Sequence, residues 1–261
     1  MSTTARDGEA DRPGARLWVP RQHGAWAMLA LPLLLGIAAT AVSPWDLPLA
    51  AAALAGYLAA ATAQAWLRAR RRPPYVPSLV VYGGVFAVAA AVLVVAFPAL
   101  LLAAVVLVPA GALVVGGARP GTPRDLLNSL AQTAIALVLV PAAGYVSGAW
   151  DSAAVVTATA IAAGYLVGTV LVVRSVIRQR GNRAFAVLSV GFHAALVVVA
   201  AIALPWPYAV YAVGLTARAV ALPVVERRRA GTARPLRPIH VGIVEIVAST
   251  TLAILAFAVP F

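Results

Sequence analysis

The chain has 261 residues, 62% of them hydrophobic and 11% charged, with a mean hydropathy of +0.93, which is too little polar surface to cover a water-soluble globule of this size. Its net charge of +12 is carried by 20 arginines and no lysine against 8 acids, and those charges punctuate apolar runs without forming a continuous soluble face. They point to contact with anionic headgroups and exclude nucleic acid as a partner, while the count of zero cysteines excludes disulfides, thiolate metal sites and cysteine nucleophiles.

Residues 1–17 read as a disordered polar tail rich in Gly, Ala, Arg and Asp, and residues 18–261 as a single transmembrane helical bundle domain. Apolar runs follow at 24–42, 48–67, 78–96, 99–117, 126–146, 153–173, 184–204, 208–225 and 241–259. Each has about 20 residues, the length at which a helix crosses roughly 30 Å of hydrocarbon. Helices are required because the backbone finds no water partners at that depth. The fold class is therefore all-α, a polytopic bundle of about nine spans. The first run ends in Ala39-Thr40-Ala41, the pattern of a signal-peptide cleavage site. It is longer than the roughly 7 to 15 apolar residues of a leader, so it reads as a retained span.

The gaps at Pro44-Trp45-Asp46, Phe97-Pro98, 147–152 and Pro205-Trp206-Pro207 hold no arginine, and their tryptophans suit an interfacial belt. All arginines but Arg218 lie in the N-terminal segment and in the alternate gaps at 68–77, 118–125, 174–183 and 226–240. The positive-inside rule then puts the arginine-rich end in the cytoplasm, the N-terminus inside and the C-terminus outside.

Polar side chains within the spans are costly in hydrocarbon, so they carry the functional signal. Arg218 lies roughly 10 Å from the arginine-rich end of its span at 1.5 Å per residue, and Glu245 enters the ninth span to a comparable depth, which allows them to pair. Asn128 and Gln132 share one helical face, as do Arg174 and Arg178; Gln64 and His23 lie near the same end, and His193 approaches the midplane. The outer half holds little beyond hydroxyls such as Thr157 and Thr159. Together with Gln22 and His240, these residues predict a cavity that opens to the cytoplasm and is floored by His193. Its cationic and amide donors suit a phosphate, pyrophosphate or carboxylate headgroup. The opposing interpretation is that they staple helices together, with Gly144, Gly148, Gly164 and Gly168 at G-x-x-x-G spacing allowing close approach. No phosphate loop, no H-E-x-x-H pair and no paired acids for Mg²⁺ are found, so neither a metal nor a cofactor is expected.

The stretch Pro20-Arg21-Gln22-His23-Gly24-Ala25-Trp26-Ala27-Met28 resembles the opening signature of the YwiC-like family of bacterial membrane proteins. Arg174-Ser175-Val176-Ile177-Arg178, followed by Arg180-Gly181-Asn182, resembles a second signature. That resemblance implies a multi-pass membrane protein and no particular reaction. More distantly, nine spans with an inside N-terminus and a polar loop after the sixth resemble the UbiA-type prenyltransferases. Those enzymes hold Mg²⁺ and an isoprenyl pyrophosphate through aspartate-rich motifs after the second and sixth spans. The corresponding segments here read Gln64-Ala65-Trp66-Leu67-Arg68-Ala69-Arg70 and Arg174-Ser175-Val176-Ile177-Arg178-Gln179-Arg180, without aspartate. The likeness thus implies a bundle that binds an isoprenoid or anionic lipid; if an enzyme, it would be a divergent, metal-independent transferase. A non-enzymatic scaffold or assembly factor and a small-molecule transporter are the alternatives, and oligomeric state is left open. A reporter fused after Phe261 is expected to read outside the cell and one fused before the first span inside; a C-terminus that reads inside would overturn this topology.

Overall fold

The computed structural model describes residues 18, 23–117, 126–230 and 236–261, with backbone alone for residues 23–25 and 27. The described elements are α1 (His23–Ala39), α2 (Asp46–Arg68), α3 (Val76–Ala96), α4 (Ala104–Gly116), α5 (Leu126–Leu137), α6 (Leu139–Val146), α7 (Ala153–Ile177), α8 (Arg183–Ala203), α9 (Trp206–Arg229) and α10 (Pro238–Ala258). Short 3-10 turns, Pro73–Tyr75 and Pro98–Ala103, lead into α3 and α4. Among the described residues eight helical stretches are long and apolar enough to cross a membrane, and the shorter apolar helix Met28–Ala39 precedes them. The protein is an all-α, polytopic membrane bundle.

Several ends differ from the sequence expectation for identifiable reasons. α7 continues through Ile177 and α9 through Arg229, so both carry arginines in their last turns. Arginine is a good helix former, its charge favours a helix C-terminus, and its long stem reaches back to the interface from a position inside the helix. The fifth span, expected as one run, divides into α5 and α6 at Val138. Pro141 lies shortly after the break; its ring crowds the carbonyl four residues earlier and it has no N–H to donate. Ser152 and Asn182 cap the next two helices, accepting from the backbone N–H of Val155 at 3.2 Å and of Phe185 at 3.1 Å.

The bundle is organised around α7, which packs against α1, α5, α6, α8, α9 and α10 and is buried along most of its length. α1 lies against α10, α6 and α7, with Leu31 and Leu35 enclosed in a core that includes Val140, Leu166 and Leu252. It is therefore an integral member of the bundle. α2 and α3 form a hairpin at the edge, and α4 packs on α5. α3 and α4 present Val80, Val88, Val95, Val105 and Val108 outward, as helices solvated by acyl chains should.

Glycine sets the closest approaches. A Cβ on Gly36 would stand 2.7 Å from the Ala143 Cβ and 3.0 Å from the Val140 carbonyl oxygen, so α1 meets α6 nearly backbone to backbone. Of the G-x-x-x-G residues, Gly144, Gly164 and Gly168 all abut a neighbouring helix, whereas Gly148 sits in a turn at φ +79°. Gly36→Ala is expected to lower stability by about 1–3 kcal/mol through overpacking. Gly84→Ala, at a site with nothing within 4 Å of the added methyl, should leave it unchanged or slightly raised. Thermal melts of the two purified variants in detergent check the difference.

Candidate functional site

Each of the four helices α7 to α10 carries a buried stripe with a polar group set into it. On α10 the stripe is Val241, Glu245, Ser249, Leu252 and Ala256; on α9 it runs from Tyr208 through Ala212, Leu215 and Arg218. α7 adds Tyr165 and Thr169, four residues apart and so on one face, and α8 adds Ser189 and His193 at the same spacing.

These side chains meet. Arg218 Nη1 donates to Glu245 Oε2 at 2.6 Å, with side chains only 6% and 7% exposed. The Thr169 hydroxyl donates to the same oxygen at 2.9 Å. The Tyr165 hydroxyl donates to the Glu245 backbone carbonyl at 3.2 Å and lies 3.5 Å from Oε2, while its ring stands 5.9 Å from the Arg218 guanidinium. The Tyr211 hydroxyl donates to the Ala248 carbonyl at 2.9 Å and ties α9 to α10 one turn further out. His193 Nδ1 is 2.7 Å from the Ser189 carbonyl oxygen. A carbonyl can only accept, so Nδ1 carries the ring proton and the Nε2 lone pair faces Arg218 Nη2 at 3.4 Å. Gly168 makes room for this contact, since a Cβ there would lie 2.8 Å from His193 Nε2.

Apolar layers close the cluster along the bundle axis. Toward the arginine-rich end Val173, Val176, Leu222, Val225, Leu236 and Val241 pack together. On the other side lie Leu166, Leu215 and Leu252 with the rest of the main core. The cluster is a polar layer within hydrocarbon-like packing, where its charges interact strongly and cost much to desolvate.

A second polar group lies nearer the arginine-rich end. Arg174 is 9% exposed in the last turn of α7, and its Nη1 donates to the Ser129 hydroxyl of α5 at 3.4 Å. One residue before Ser129, Asn128 donates from Nδ2 to the Leu113 carbonyl of α4 at 3.3 Å and accepts from Gln132 Nε2 at 2.8 Å. Arg174 follows Thr169 by five residues, about 140° around a helix of 3.6 residues per turn, so the two groups lie on different sides of α7.

The expected lining therefore does not converge as one set. His193, Arg218 and Glu245 form the deep cluster, and Arg174, Asn128 and Gln132 belong to the shallower one. Gln64 accepts from Arg68 Nη2 at 3.0 Å within α2. Exposed His240 accepts from the Arg237 backbone N–H at 3.2 Å, which caps α10. Arg178 is exposed at the end of α7, His23 opens α1 with only its backbone described, and Gln22 lies outside the described residues. Sequence reasoning missed Tyr165, Thr169, Ser189, Tyr211 and Ser129. The available signal was the four-residue spacing of Tyr165 with Thr169 and of Ser189 with His193, each in a stripe of otherwise apolar residues. Among the described residues no three His, Cys, Asp or Glu side chains gather as ligands for a metal ion.

A model of the family described as YwiC-like protein matches residues 19–143, from the start of α1 into α6. The uncharacterized protein YwiC of Bacillus subtilis (strain 168) is 33% identical over 182 residues, which span 67% of this chain and 73% of that protein. No solved structure matches the chain. Identity of that level over most of both chains, together with the family match that begins at the Pro20–Met28 motif, shows that this chain belongs to the YwiC-like family.

Proposed function

We propose that the protein binds the phosphate or carboxylate headgroup of an anionic ligand, foremost a membrane lipid or isoprenoid, at its arginine-rich end, and that this end faces the cytoplasm of a bacterial plasma membrane. The observation that carries the reading is Arg174, a guanidinium nine-tenths buried in the last turn of the most enclosed helix, beside the Ser129 hydroxyl and the Asn128–Gln132 amide pair. Arginine holds its charge at any relevant pH and presents a planar fork that matches carboxylate and phosphate geometry. Where water is scarce such contacts are stronger than on an open surface. Hydroxyl and amide donors beside the guanidinium add directed bonds to the remaining anion oxygens. The exposed Arg178 one turn further along α7 extends the cationic surface toward the headgroup region.

A divergent, metal-independent transferase related to the UbiA type would use the same headgroup contact, with arginine supplying the positive charge that the aspartate-held metal supplies in those enzymes. Binding is the claim tested first, because a transferase requires it and a scaffold does not.

Mass spectrometry of lipids that co-purify with the full-length protein provides the test. Arg174→Ala is expected to reduce bound anionic lipid by about 10-fold or more, the equivalent of losing a charge-assisted bond of about 1.5–3 kcal/mol. Arg178→Ala, at an exposed position, should have a smaller effect. Lipid content that is the same in wild type and Arg174→Ala, with both proteins melting alike, would remove the headgroup reading.

A further inference from the structure

The deep cluster is a separate problem, because headgroup binding at Arg174 makes no use of it. Arg218 is a permanent cation set between two apolar layers, and Glu245 is the acid that neutralises it. A guanidinium and a carboxylate can join through two parallel bonds, but here the Nη1–Oε2 contact is single. Arg218 Nε and Glu245 Oε1 are both buried and have no hydrogen-bond partner among the described residues, and the same holds for the Ser189 hydroxyl. Each ion of the pair thus keeps one edge directed into the interior, a donor on Arg218 and a lone-pair acceptor on Glu245.

We infer that this cluster is a binding site for one proton and one small monoanion, a carboxylate or phosphate group, taken up together. The proton forms an O–H bond at Glu245 Oε1, the Arg218–Glu245 contact breaks, and the anion takes the place of the Glu245 carboxylate at Arg218. No electrons move between the partners, and the net charge of the site is zero before and after. That neutrality is the physical reason for the coupling. An anion alone would leave an uncompensated negative charge in hydrocarbon, and a proton alone an uncompensated Arg218, each heavily penalised at this depth.

The groups that face Glu245 support the assignment of the proton to it. α7 contributes Tyr165 and Thr169, α8 His193, and α9 Arg218 and Tyr211. The described side chains of α1, which packs against α10, are all apolar. The hydroxyls act as donors, and a proton on His193 Nε2 would set a second cation 3.4 Å from Arg218 Nη2. Glu245 is the acceptor whose protonation leaves Arg218 without a counter-charge, which one monoanion supplies. On the side of the arginine-rich end, Pro223 of α9 cannot donate to the Ala219 carbonyl, which weakens the helix about one turn from Arg218. Leu222 and Val225 of the closing layer lie beside that proline, and beyond it Glu226 is tied to Arg180 at 3.4 Å.

This site is independent of the Arg174 site, and its test does not depend on lipid binding there. The full-length protein in lipid nanodiscs is titrated with sodium acetate and, separately, sodium phosphate by calorimetry in two buffers of different ionisation enthalpy. At about pH 5.7, where free acetate is mostly ionised and free phosphate mostly the monoanion, wild type is expected to take up about one proton per anion bound. Glu245→Gln, which presents the uncharged carboxyl shape, should bind the anion without proton uptake and melt at a temperature that rises with anion concentration. The double variant Glu245→Gln/Arg218→Gln should show neither response, and the melting shift serves if Glu245→Gln is too unstable for calorimetry. A response to acetate or to phosphate alone assigns the anion's class. Anion binding by wild type without proton uptake, undiminished uptake in Glu245→Gln, or no response of wild type and Glu245→Gln to either anion would overturn the inference.

Discussion

Hydrocarbon offers no hydrogen bonds, and from that single constraint the rest of the molecule follows. It forces the backbone into helices, so that every span satisfies its own peptide groups. It also forces charged side chains that lie below the headgroups to find one another. Arg218 and Glu245 do so across α9 and α10 at 2.6 Å, with α7 and α8 supplying Thr169, Tyr165 and His193 around them. The bundle closes around α7 because four helices must converge for that layer to be satisfied.

Such a pair is a poor device for stability alone. Desolvating two ions costs several kcal/mol per ion, and exchanging a buried pair for packed apolar residues is often neutral or stabilising. Removing one partner, by contrast, typically costs about 3–5 kcal/mol. An interior already rich in Leu, Val and Ala could have filled these positions with more of the same. The asymmetry between what the pair contributes to stability and what its disruption would cost favours a chemical use for it, and the single-edged geometry agrees.

The apolar runs were legible because each has about the length of the bilayer; among the described residues eight of the nine are helices long enough to cross it and the first is the shorter Met28–Ala39, and the depths of Arg218 and Glu245 followed from counting 1.5 Å per residue. Helix ends were less legible, since the arginines that mark a loop by composition also make good last turns, as in α7 and α9. The grouping of polar residues was half legible. Shared depth suggested one lining, but depth says nothing about azimuth, and Arg174 points away from Thr169 around α7. Gln64 and His240 illustrate a second limit: each is served by a neighbour in its own helix, Arg68 and the Arg237 backbone, and such local bonds compete with any long-range use. Hydroxyls such as Thr169 and Ser129 went unnoticed because they cost little in a membrane helix and are common there.

The two buried arginines differ in what can neutralise them, and that difference separates their chemistry. Arg174 is in the last turn of α7, at the arginine-rich end of the bundle, and under the proposed function a lipid phosphate or carboxylate group would neutralise it. Arg218 lies between two apolar layers, and the anion that neutralises it in the structure is the Glu245 carboxylate of the chain itself. Gly168 lets His193 lie directly against α7 at that level, and Tyr165 and Thr169 hold Glu245 from the same helix. A change of partner at Arg218 would therefore be felt by α7, α8 and α10 together. α7 also carries Arg174 on another side, so this one helix contributes side chains to both polar groups.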